Sequence, residues 1–397
     1  MSSADPKRVM IIAGEASGEE HGAKVVRALR EKITGIFFFG IGGPAMGASG
    51  VHILVDSHDL AVVGITEIFS NIATILNGLS VTKKALKRLK PDLLILIDFP
   101  DFNLHVAATA KRVGVPVLYY ISPQLWAWRS GRVKKIRRRV DHMAVILPFE
   151  AEFYHRFQVP VTFVGHPLLD NDAGKTDEPE SGASFDPHRP TIGFLPGSRE
   201  KEVLQLLPEM LESARLMKEK IPGAKFLISL APSVKKERIE DILSVHGKAL
   251  DYEIEPGGAG PVFRRSTVVA AASGTVTLEA AMAGVPMVIV YKISPLSYRL
   301  GRALIRVEHI GLANLIAGRR IVPELIQGEV TGENIADTLH RMLSNPEELT
   351  ACRQALMDLR HELGGPGASG RVADIAARML GVSVVPGEEP PETGTSN

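Results

Sequence analysis

Short, continuous apolar runs alternate with segments of helical periodicity along most of this chain. Such alternation is typical of β–α–β units around a parallel sheet, and strands that are apolar throughout are typical of sheets covered on both faces. The first series of predicted strands is Arg8–Ala13, Ile36–Ile41, Leu93–Ile97, Val117–Ile121, His142–Leu147 and Val161–Val164. The second series is Thr191–Leu195, Lys225–Leu230, a short strand near Tyr252, Val268–Ala272 and Pro286–Val290. The pattern therefore predicts an α/β protein of two Rossmann-like halves.

One polar stretch separates the two series. Between Leu168 and Arg189 the apolar periodicity vanishes and Asp, Gly, Pro and Ser dominate, which indicates a linker. At 397 residues the chain is long enough for two domains. We divide it into an N-terminal Rossmann-like domain (1–168), the linker (169–190), a C-terminal Rossmann-like domain (191–365), a C-terminal helix (366–383) and a Pro-, Glu- and Thr-rich tail that we expect to be disordered (384–397).

Composition narrows the class of protein. The formal net charge of +1 supplies no field that would recruit nucleic acid. A single cysteine, Cys352, excludes an intrachain disulfide framework and is typical of a reducing compartment. The most hydrophobic long window, Leu60–Leu79, contains Glu67, Asn71 and Asn77, which are costly in a bilayer core, so we expect no spanning helix. The first apolar run is too short for a signal peptide, and we expect a cytoplasmic protein.

Strand-to-helix turns are the candidate ligand sites. Ligands of open α/β sheets bind beyond the carboxyl ends of the strands, where helix N-termini offer free N–H groups. In the second half, Gly197 and Ser198 follow a predicted strand, and Arg199 adds a guanidinium that can bind phosphate through two hydrogen bonds. We interpret this turn as a phosphate site. The alternative is a plain N-cap at Ser198 with Arg199 in solvent.

The strongest candidate is the turn Ser273-Gly274-Thr275, which joins a predicted strand to a predicted helix. Its small residues and hydroxyls can hold a diphosphate on backbone N–H groups. Glu279 lies one helical turn beyond Thr275 and can accept hydrogen bonds from ribose hydroxyls, although a solvated surface glutamate is the alternative. Together the two turns predict a diphosphate-bearing ligand in a cleft between the halves.

The N-terminal half offers carboxylates instead. Asp98 directly follows a predicted strand, and its apolar neighbours Phe99 and Phe102 favour a raised proton affinity, which suits a general acid or base. The loop that contains Glu15 and Ser17 follows the first strand. It lacks the GxGxxG pattern, and its acids would repel a pyrophosphate, so a dehydrogenase loop is disfavoured. It is either a sugar-facing loop or a capped helix start.

Other polar clusters indicate no further chemistry. The 12 histidines are scattered without metal-ligand spacing, so we expect no metal site. The basic run RSGRVKKIRRR follows two tryptophans, but the neutral chain lacks a recognisable RNA-binding module, so nucleic acid is not an expected partner. The remaining interpretations are a solvated helix face and a site for an anionic substrate or lipid surface.

Taken together, these motifs resemble one family. GEASGE, IDFPDFN, SPQLWAWR, LPFE, VGHPL, LPGSRE, SGTVTLE and NLIAG stand in the order and spacing of the lipid-A-disaccharide synthase family, over residues 9–380. The combination of IDFPDFN, SPQLWAWR and LPGSR is specific, whereas SGTVTLEAAMAGVP alone is shared with the wider superfamily of GT-B type glycosyltransferases. The resemblance implies two facing Rossmann-like domains with a cleft between them, the first binding the acceptor and the second the nucleotide sugar.

The resemblance also implies a reaction. UDP-2,3-diacylglucosamine would donate its sugar to 2,3-diacylglucosamine 1-phosphate with inversion, giving a β(1→6) tetraacyl disaccharide 1-phosphate and UDP without a metal or other cofactor. Asp98 matches the family's essential Asp, the implied general base for the acceptor's 6-hydroxyl. Arg199 matches its essential Arg, which would stabilise the departing diphosphate. The positions that match the donor site are Ser273, Gly274, Thr275, Glu279 and Asn314. The family usually reads SGD where this chain reads Ser17-Gly18-Glu19.

The resemblance implies a role for the hydrophobic window Leu60–Leu79, because both implied substrates carry acyl chains. Six residues at roughly helical spacing predict a face that meets acyl chains or the bilayer surface: Ile65, Ile68, Phe69, Ile72, Ile75 and Leu76. Core packing or a dimer contact is the alternative. The implied partners are acylated sugars, the cytoplasmic surface of the inner membrane and, in a homodimer, exchanged C-terminal segments. The rival activities are another UDP-sugar transfer and UDP-sugar 2-epimerisation.

Overall fold

The computed structural model describes residues 6–60, 68–128, 130–171, 186, 188–247, 250–294, 298 and 308–382. The chain forms two compact units. One consists of Met1–Gly174 together with Leu363–Asn397, and the other of Lys175–Glu362. The C-terminal segment therefore belongs to the first unit, although it follows the second in sequence.

The first unit contains a seven-stranded sheet whose observed pairings are all parallel. Its strands are β1 Arg8–Ala13, β2 Phe37–Gly42, β3 Val51–Asp56, β4 Leu93–Ile97, β5 Val117–Tyr120, β6 His142–Val145 and β7 Val161–Phe163. Their order across the sheet is β3-β2-β1-β4-β5-β6-β7.

Both faces of this sheet are covered, as the apolar runs predict. Val9 and Ile11 of β1 pack into one hydrophobic core, while Met10 and Ile12 pack into another. Successive side chains of a strand point to opposite faces, so a strand between two cores must be apolar at every position. Strand β4 is buried at all of its residues for the same reason.

In the described part of the first unit, helices join the strands. They are α1 Ala16–Lys32, α2 Pro44–Ala48, α3 Ser57–Leu60, α4 Ile68–Leu89, α5 Pro100–Arg112, α6 Leu125–Trp128, α7 Val133–Arg139 and α8 Pro148–Arg156. A proline opens both α5 and α8, at a position where its missing N–H costs nothing.

The second unit contains a six-stranded sheet, also with parallel pairings throughout. Its strands are β8 Thr191–Leu195, β9 Lys225–Leu230, β10 Tyr252–Pro256, β11 Val268–Ala272, β12 Met287–Tyr291 and β13 Glu324–Ile326, in the order β10-β9-β8-β11-β12-β13. The described helices are α9 Glu200–Lys220, α10 Lys236–His246, α11 Gly260–Arg265, α12 Val276–Met282, α13 Leu312–Ile316, α14 Gly332–Ser344 and α15 Pro346–Glu362.

The last described helix, α16 Ala368–Met379, returns to the first unit and packs against α1. Val372 of α16 and Val25 of α1 lie in the same hydrophobic core. The carboxylate of Asp170 caps α16, accepting hydrogen bonds from three successive backbone N–H groups that end at Ser369 and from the Ser369 hydroxyl, at 2.7–3.0 Å. The sequence predicts this helix but contains no signal for where it docks.

Each sheet has one place where the strand order reverses. In the first unit the chain leaves β1 toward β2 and β3, then continues on the other side from β4. In the second unit the same reversal separates β8 from β11. Ligands of open α/β sheets bind beyond the carboxyl ends of the strands at such reversal points. The fold therefore singles out two edges: the first edge after β1 and β4, and the second edge after β8 and β11.

The predicted fold class, an α/β protein with two Rossmann-like units, is confirmed. Two strands, β3 and β13, are not predicted from the sequence. Strand β3 is only partly buried and carries His52 and Asp56, which interrupt its apolar run. Strand β13 has three residues, too few to show periodicity. The predicted tail, 384–397, lies outside the described residues, as does most of the predicted linker. The first residues of the linker belong to a short 3-10 turn, Pro167–Asn171.

Candidate active site

Asp98 lies at the first edge, in an unusual backbone conformation. It follows β4 directly, and both Asp98 and Phe99 are left-handed, with φ of 44° and 48°. Non-glycine residues in this region are strained and persist only where their surroundings hold them. The backbone oxygen of Asp98 accepts hydrogen bonds from the Asn103 amide and the Tyr119 hydroxyl, both at 2.6 Å. Pro100 then opens α5, so the turn is held from both sides.

The Asp98 carboxyl is half-buried, and its pKa is raised to about 6. Burial is the larger cause, the negative charge of Glu15 is the second, and a hydrogen bond from the Phe99 backbone opposes them. A carboxylate of this pKa is largely ionised at neutral pH and still binds a proton readily, which suits a general base.

The structure brings the Glu15 loop and the Asp98 turn together, because β1 and β4 are adjacent and parallel. Glu15 is exposed at the start of α1 and contributes to the electrostatic potential at Asp98. A side chain at Gly14 would overlap the Phe99 ring, so glycine allows the two turns to pack. Ser17 is exposed in the first turn of α1.

Glu19 serves a different purpose from its loop neighbours. It is 5% exposed, and its Oε1 accepts a hydrogen bond of 2.6 Å from the backbone N–H of Ala45. A side chain at Gly43 would overlap its carboxylate. Glu19 therefore holds the N-terminus of α2 against α1, which is a structural use for the residue that departs from the family pattern.

At the second edge, the turn after β8 presents a flexible backbone and a cation. Gly197 has a φ of 111°, which glycine adopts without strain. Ser198 and Arg199 are exposed, and α9 begins at the next residue. The Arg199 guanidinium is 81% exposed and lies 2.8 Å from Glu202 Oε1. Burial raises the pKa of Tyr291, the charge of Glu202 raises it further and that of Arg199 opposes them, which places this phenol near the pair.

The turn after β11 is the other half of the second edge. Ser273 is half-buried, Gly274 and Thr275 are exposed, and α12 follows. A Cβ built on Gly274 meets no described atom within 4 Å, so there is open space over the turn. Glu279 is half-buried one turn into α12, and burial raises its pKa. Because β8 and β11 are adjacent, Arg199 and Ser273–Thr275 emerge at the same edge, as predicted.

Asn314 is fully buried, and its amide is used inside the second unit. Its Nδ2 donates to the Val322 carbonyl and to Glu324 Oε1, each at 2.8 Å, and its Oδ1 accepts from the backbone N–H groups of Ile321 and Val322. Glu324 also accepts from the backbone of Ile310 and its neighbour. Sequence reasoning missed Glu324, since nothing in a three-residue strand marks it.

The hydrophobic window yields a mixed result. Ile65 lies outside the described residues, and for Ile68, Phe69 and Ile72 only the helical backbone of α4 is described. Of the remaining two residues, Ile75 packs against the core of the first unit, whereas Leu76 is 59% exposed. Among the helices that the structure describes, none is long and apolar enough to cross a bilayer.

Two further polar features of the described residues concern metal binding and the basic run. No group of three or more His, Cys, Asp or Glu side chains there is placed to hold a metal ion. The second part of the basic run, Val133–Arg139, forms α7, with Lys134, Lys135, Arg137 and Arg138 exposed. Arg132, which precedes α7, pairs with Asp101 of α5 at 2.6 Å.

A family model described as lipid-A-disaccharide synthetase matches residues 9–378. The chain belongs to this family. A lipid-A-disaccharide synthase of Geobacter metallireducens is 49% identical over 384 residues, which are 96% of this chain and 99% of that protein. One from Myxococcus xanthus is 40% identical over 380 residues, 95% and 98% of the two chains. The family resemblance predicted from the motifs is thus confirmed.

Solved structures share the fold at low sequence identity. The glycosyltransferase of kitacinnamycin superposes with a TM-score of 0.62 at 15% identity, covering 95% of this chain and 100% of its own. A UDP-GlcNAc 2-epimerase from Neisseria meningitidis bound to UDP-GlcNAc gives 0.58 at 15% identity, with 94% and 99% covered. At such identity the likeness shows the fold alone, and that fold is common to a transferase and an epimerase.

Proposed function

We propose that this chain is an inverting glycosyltransferase of lipid A biosynthesis, a lipid-A-disaccharide synthase. It condenses UDP-2,3-diacylglucosamine with 2,3-diacylglucosamine 1-phosphate to a β(1→6) tetraacyl disaccharide 1-phosphate and UDP. The observation that carries the proposal is the family match over residues 9–378. The complementary chemistry of the two edges, a proton acceptor at the first and an anion site at the second, supports it.

The first edge activates the acceptor. Ionised Asp98 takes the proton of the acceptor's 6-hydroxyl as that oxygen attacks the anomeric carbon of the donor sugar. The bond from this carbon to the UDP oxygen breaks on the opposite face, so the configuration inverts. The proton ends on Asp98, whose pKa of about 6 lets it receive the proton and release it again near neutral pH.

The second edge holds the donor and stabilises the leaving group. The Ser273-Gly274-Thr275 turn binds the diphosphate through N–H groups and hydroxyls, and Arg199 neutralises the charge that develops as UDP departs. Glu279 accepts hydrogen bonds from ribose hydroxyls. Asn314 acts indirectly, because its bonds to Val322 and Glu324 shape the loop beside this edge. The proposed reaction uses no metal or other cofactor.

The substrates carry acyl chains, so the enzyme must work at a lipid surface. We assign this contact to α4, where Leu76 is largely exposed, and to the cationic side chains of α7. The enzyme then acts at the cytoplasmic face of the inner membrane as a peripheral protein. A homodimer would exchange C-terminal segments between copies, and the molar mass of the full chain, measured by size-exclusion chromatography with light scattering, tests whether a dimer forms.

Product analysis tests the activity. Mass spectrometry of a reaction with both diacyl sugars should show the tetraacyl disaccharide 1-phosphate, with release of UDP that depends on the acceptor. UDP release without acceptor, or interconversion of the donor sugar, would indicate the epimerase instead. A disaccharide formed only with a different acceptor would indicate another UDP-sugar transfer.

A further inference from the structure

Glu150 is a buried carboxyl for which the proposed reaction has no use. It lies in the first turn of α8 and is 1% exposed. Its Oε1 accepts a hydrogen bond of 3.1 Å from the Trp126 indole N–H, and its Oε2 accepts one of 3.2 Å from the Leu147 backbone. Burial raises the pKa of Glu150 to about 7, against the effect of these bonds. Burial of a carboxyl group costs free energy unless hydrogen bonds compensate for the lost hydration.

The indole that Glu150 holds belongs to the segment after β5, residues 121–128, which includes the short helix α6 and which we call the β5 loop. Strand β5 lies next to β4, so this loop leaves the sheet beside the Asp98 turn. At its start, the Tyr120 carbonyl accepts a hydrogen bond of 3.1 Å from the Asp98 N–H. Ile121 then turns the chain with a left-handed φ of 62°. The loop therefore begins in direct contact with the proposed base.

Further along the chain, a second contact is made with α5, the helix that follows the Asp98 turn. Arg132, four residues beyond the loop, donates to Asp101 Oδ1 at 2.6 Å, and Asp101 lies in the helix that the Asp98 turn opens. Between these two contacts the loop is fastened to α8 as well as to the sheet. The Ser122 and Tyr154 hydroxyls are 2.7 Å apart, and the Trp126 ring packs edge-on against Phe149.

We propose that Glu150 is a positioning residue for the acceptor: through the Trp126 indole it holds the β5 loop beside Asp98, where the loop forms a wall of the acceptor site. This inference rests on the proposed function, since it assigns a specificity element to the same edge. The bond fixes the loop before the acceptor arrives, so its loss is felt as weaker acceptor binding. It does not change the chemistry at Asp98 or the donor site on the other unit.

Steady-state kinetics of Glu150→Gln and Trp126→Phe test the role. Glu150→Gln removes the charge and nearly keeps the shape of the side chain, whereas Trp126→Phe removes the indole N–H and makes the ring smaller. We expect the acceptor KM to rise about tenfold in Trp126→Phe, as for loss of one hydrogen bond to a charged group, and about threefold in Glu150→Gln, whose amide oxygen still accepts. The kcat and donor KM should stay within about twofold of wild type. The double variant should be no worse than Trp126→Phe, because the two side chains share one interaction.

Glu152→Gln is the matched control: Glu152 lies two residues further along α8, is 70% exposed and pairs with Arg156. It should leave all three constants unchanged. A second readout is the NMR signal of the Trp126 indole N–H in protein labelled with isotopes at tryptophan. The chain has two tryptophans, so two such signals must be resolved. This signal should shift in Glu150→Gln and not in Glu152→Gln.

The outcomes separate the inference from the proposed function. If wild type forms no disaccharide, both fail. If wild type is active but the variants retain its acceptor KM, or their effects add in the double variant, the positioning role is wrong. A joint change of kcat and both KM values with a lower unfolding temperature would show a merely structural role and overturn it as well. An unshifted indole signal in Glu150→Gln would remove the contact on which the inference rests.

Discussion

The carboxyl edges of the two sheets present different kinds of residue. At the first edge, Asp98 and Phe99 take up left-handed backbone without glycine, and the functional group is a half-buried carboxylate. At the second edge, the turns contain Gly197 and Gly274, and the cation Arg199 is largely exposed. The same topological position has thus been filled with opposite charges and opposite degrees of burial.

This difference follows from the chemistry each edge performs. A proton acceptor needs a pKa near the working pH, which burial and the nearby Glu15 charge supply, and it needs a fixed direction, which the bonds to its backbone oxygen supply. An anion site needs close approach of backbone N–H groups, which side chains would obstruct. Backbone strain and burial of the carboxylate therefore lower stability at the first edge, whereas the turns of the second edge remain accessible to a ligand.

The largest expected effect is that of Asp98→Asn. We expect kcat to fall about a thousandfold, as for loss of a general base, and asparagine tolerates the left-handed turn. The unfolding temperature at neutral pH should rise. The folded-state pKa of about 6 lies above the unfolded 3.8, so the ionised carboxyl destabilises the fold above pH 6 and this cost is absent below the unfolded pKa.

The control for this variant is Asp92→Asn. Asp92 precedes the same strand at its opposite end, where it accepts a hydrogen bond from the Arg8 backbone. It should retain wild-type kcat. UDP release with saturating acceptor measures both variants, and an Asp98→Asn enzyme within about tenfold of wild type would remove Asp98 from the role of base.

The second edge is tested by Arg199→Ala. We expect kcat to fall about a hundredfold, because the guanidinium stabilises charge that develops on the departing diphosphate. Arg199→Lys should recover only part of the rate, since an ammonium cannot form the paired hydrogen bonds. Arg215→Ala on α9, which removes an exposed pair with Glu212 and Glu219, should leave the rate unchanged. Equal rates for Arg199→Ala and Arg215→Ala would contradict the assignment.

A smaller effect should appear in the pH profile, and it distinguishes the two edges. The base must be ionised, so kcat/KM should be full above pH 6 and fall as the pH drops through about 6. The negative charge of Glu15 raises the pKa of Asp98, so Glu15→Gln should lower that pKa and move the acid limb to lower pH. Glu279→Gln, a carboxyl of the second edge, should leave the position of this limb unchanged. An unmoved limb in Glu15→Gln would show that the two carboxyls do not interact.

Much of this arrangement follows from sequence alone, for definite reasons. Strands between two cores are apolar along most of their length, so nearly all of them could be recognised. Parallel strands place their following turns at one edge, so Asp98 and Glu15 could be predicted to meet, as could Arg199 and Ser273. The edge strand β3 could not be recognised because its half-exposed residues carry no such constraint.

Other features depend on long-range contacts that leave no local pattern. The docking of α16 on α1 joins residues more than 300 positions apart in the chain. The use of Asn314 inside the second unit depends on Val322 and Glu324, and nothing in NLIAG distinguishes a buried amide from one that faces a ligand. Glu150 in LPFE likewise reads as an ordinary residue of a first helical turn, where acids are favoured, until its burial is seen.

The two units also differ in their exposed leucines, and replacing these leucines should have the smallest effect of the changes considered. Leu76 of the first unit and Leu204 of the second are 59% and 45% exposed. If only the first unit meets the lipid surface, Leu76→Ser should weaken binding to anionic vesicles about fivefold, since burial of the exposed part of this leucine side chain contributes about 1 kcal/mol. Leu204→Ser should bind as wild type does. Ile75→Ser should instead lower the unfolding temperature, because Ile75 packs against the core. Vesicle sedimentation distinguishes these cases, and equal losses for Leu76→Ser and Leu204→Ser would mean that the acyl chains are not approached through α4 alone.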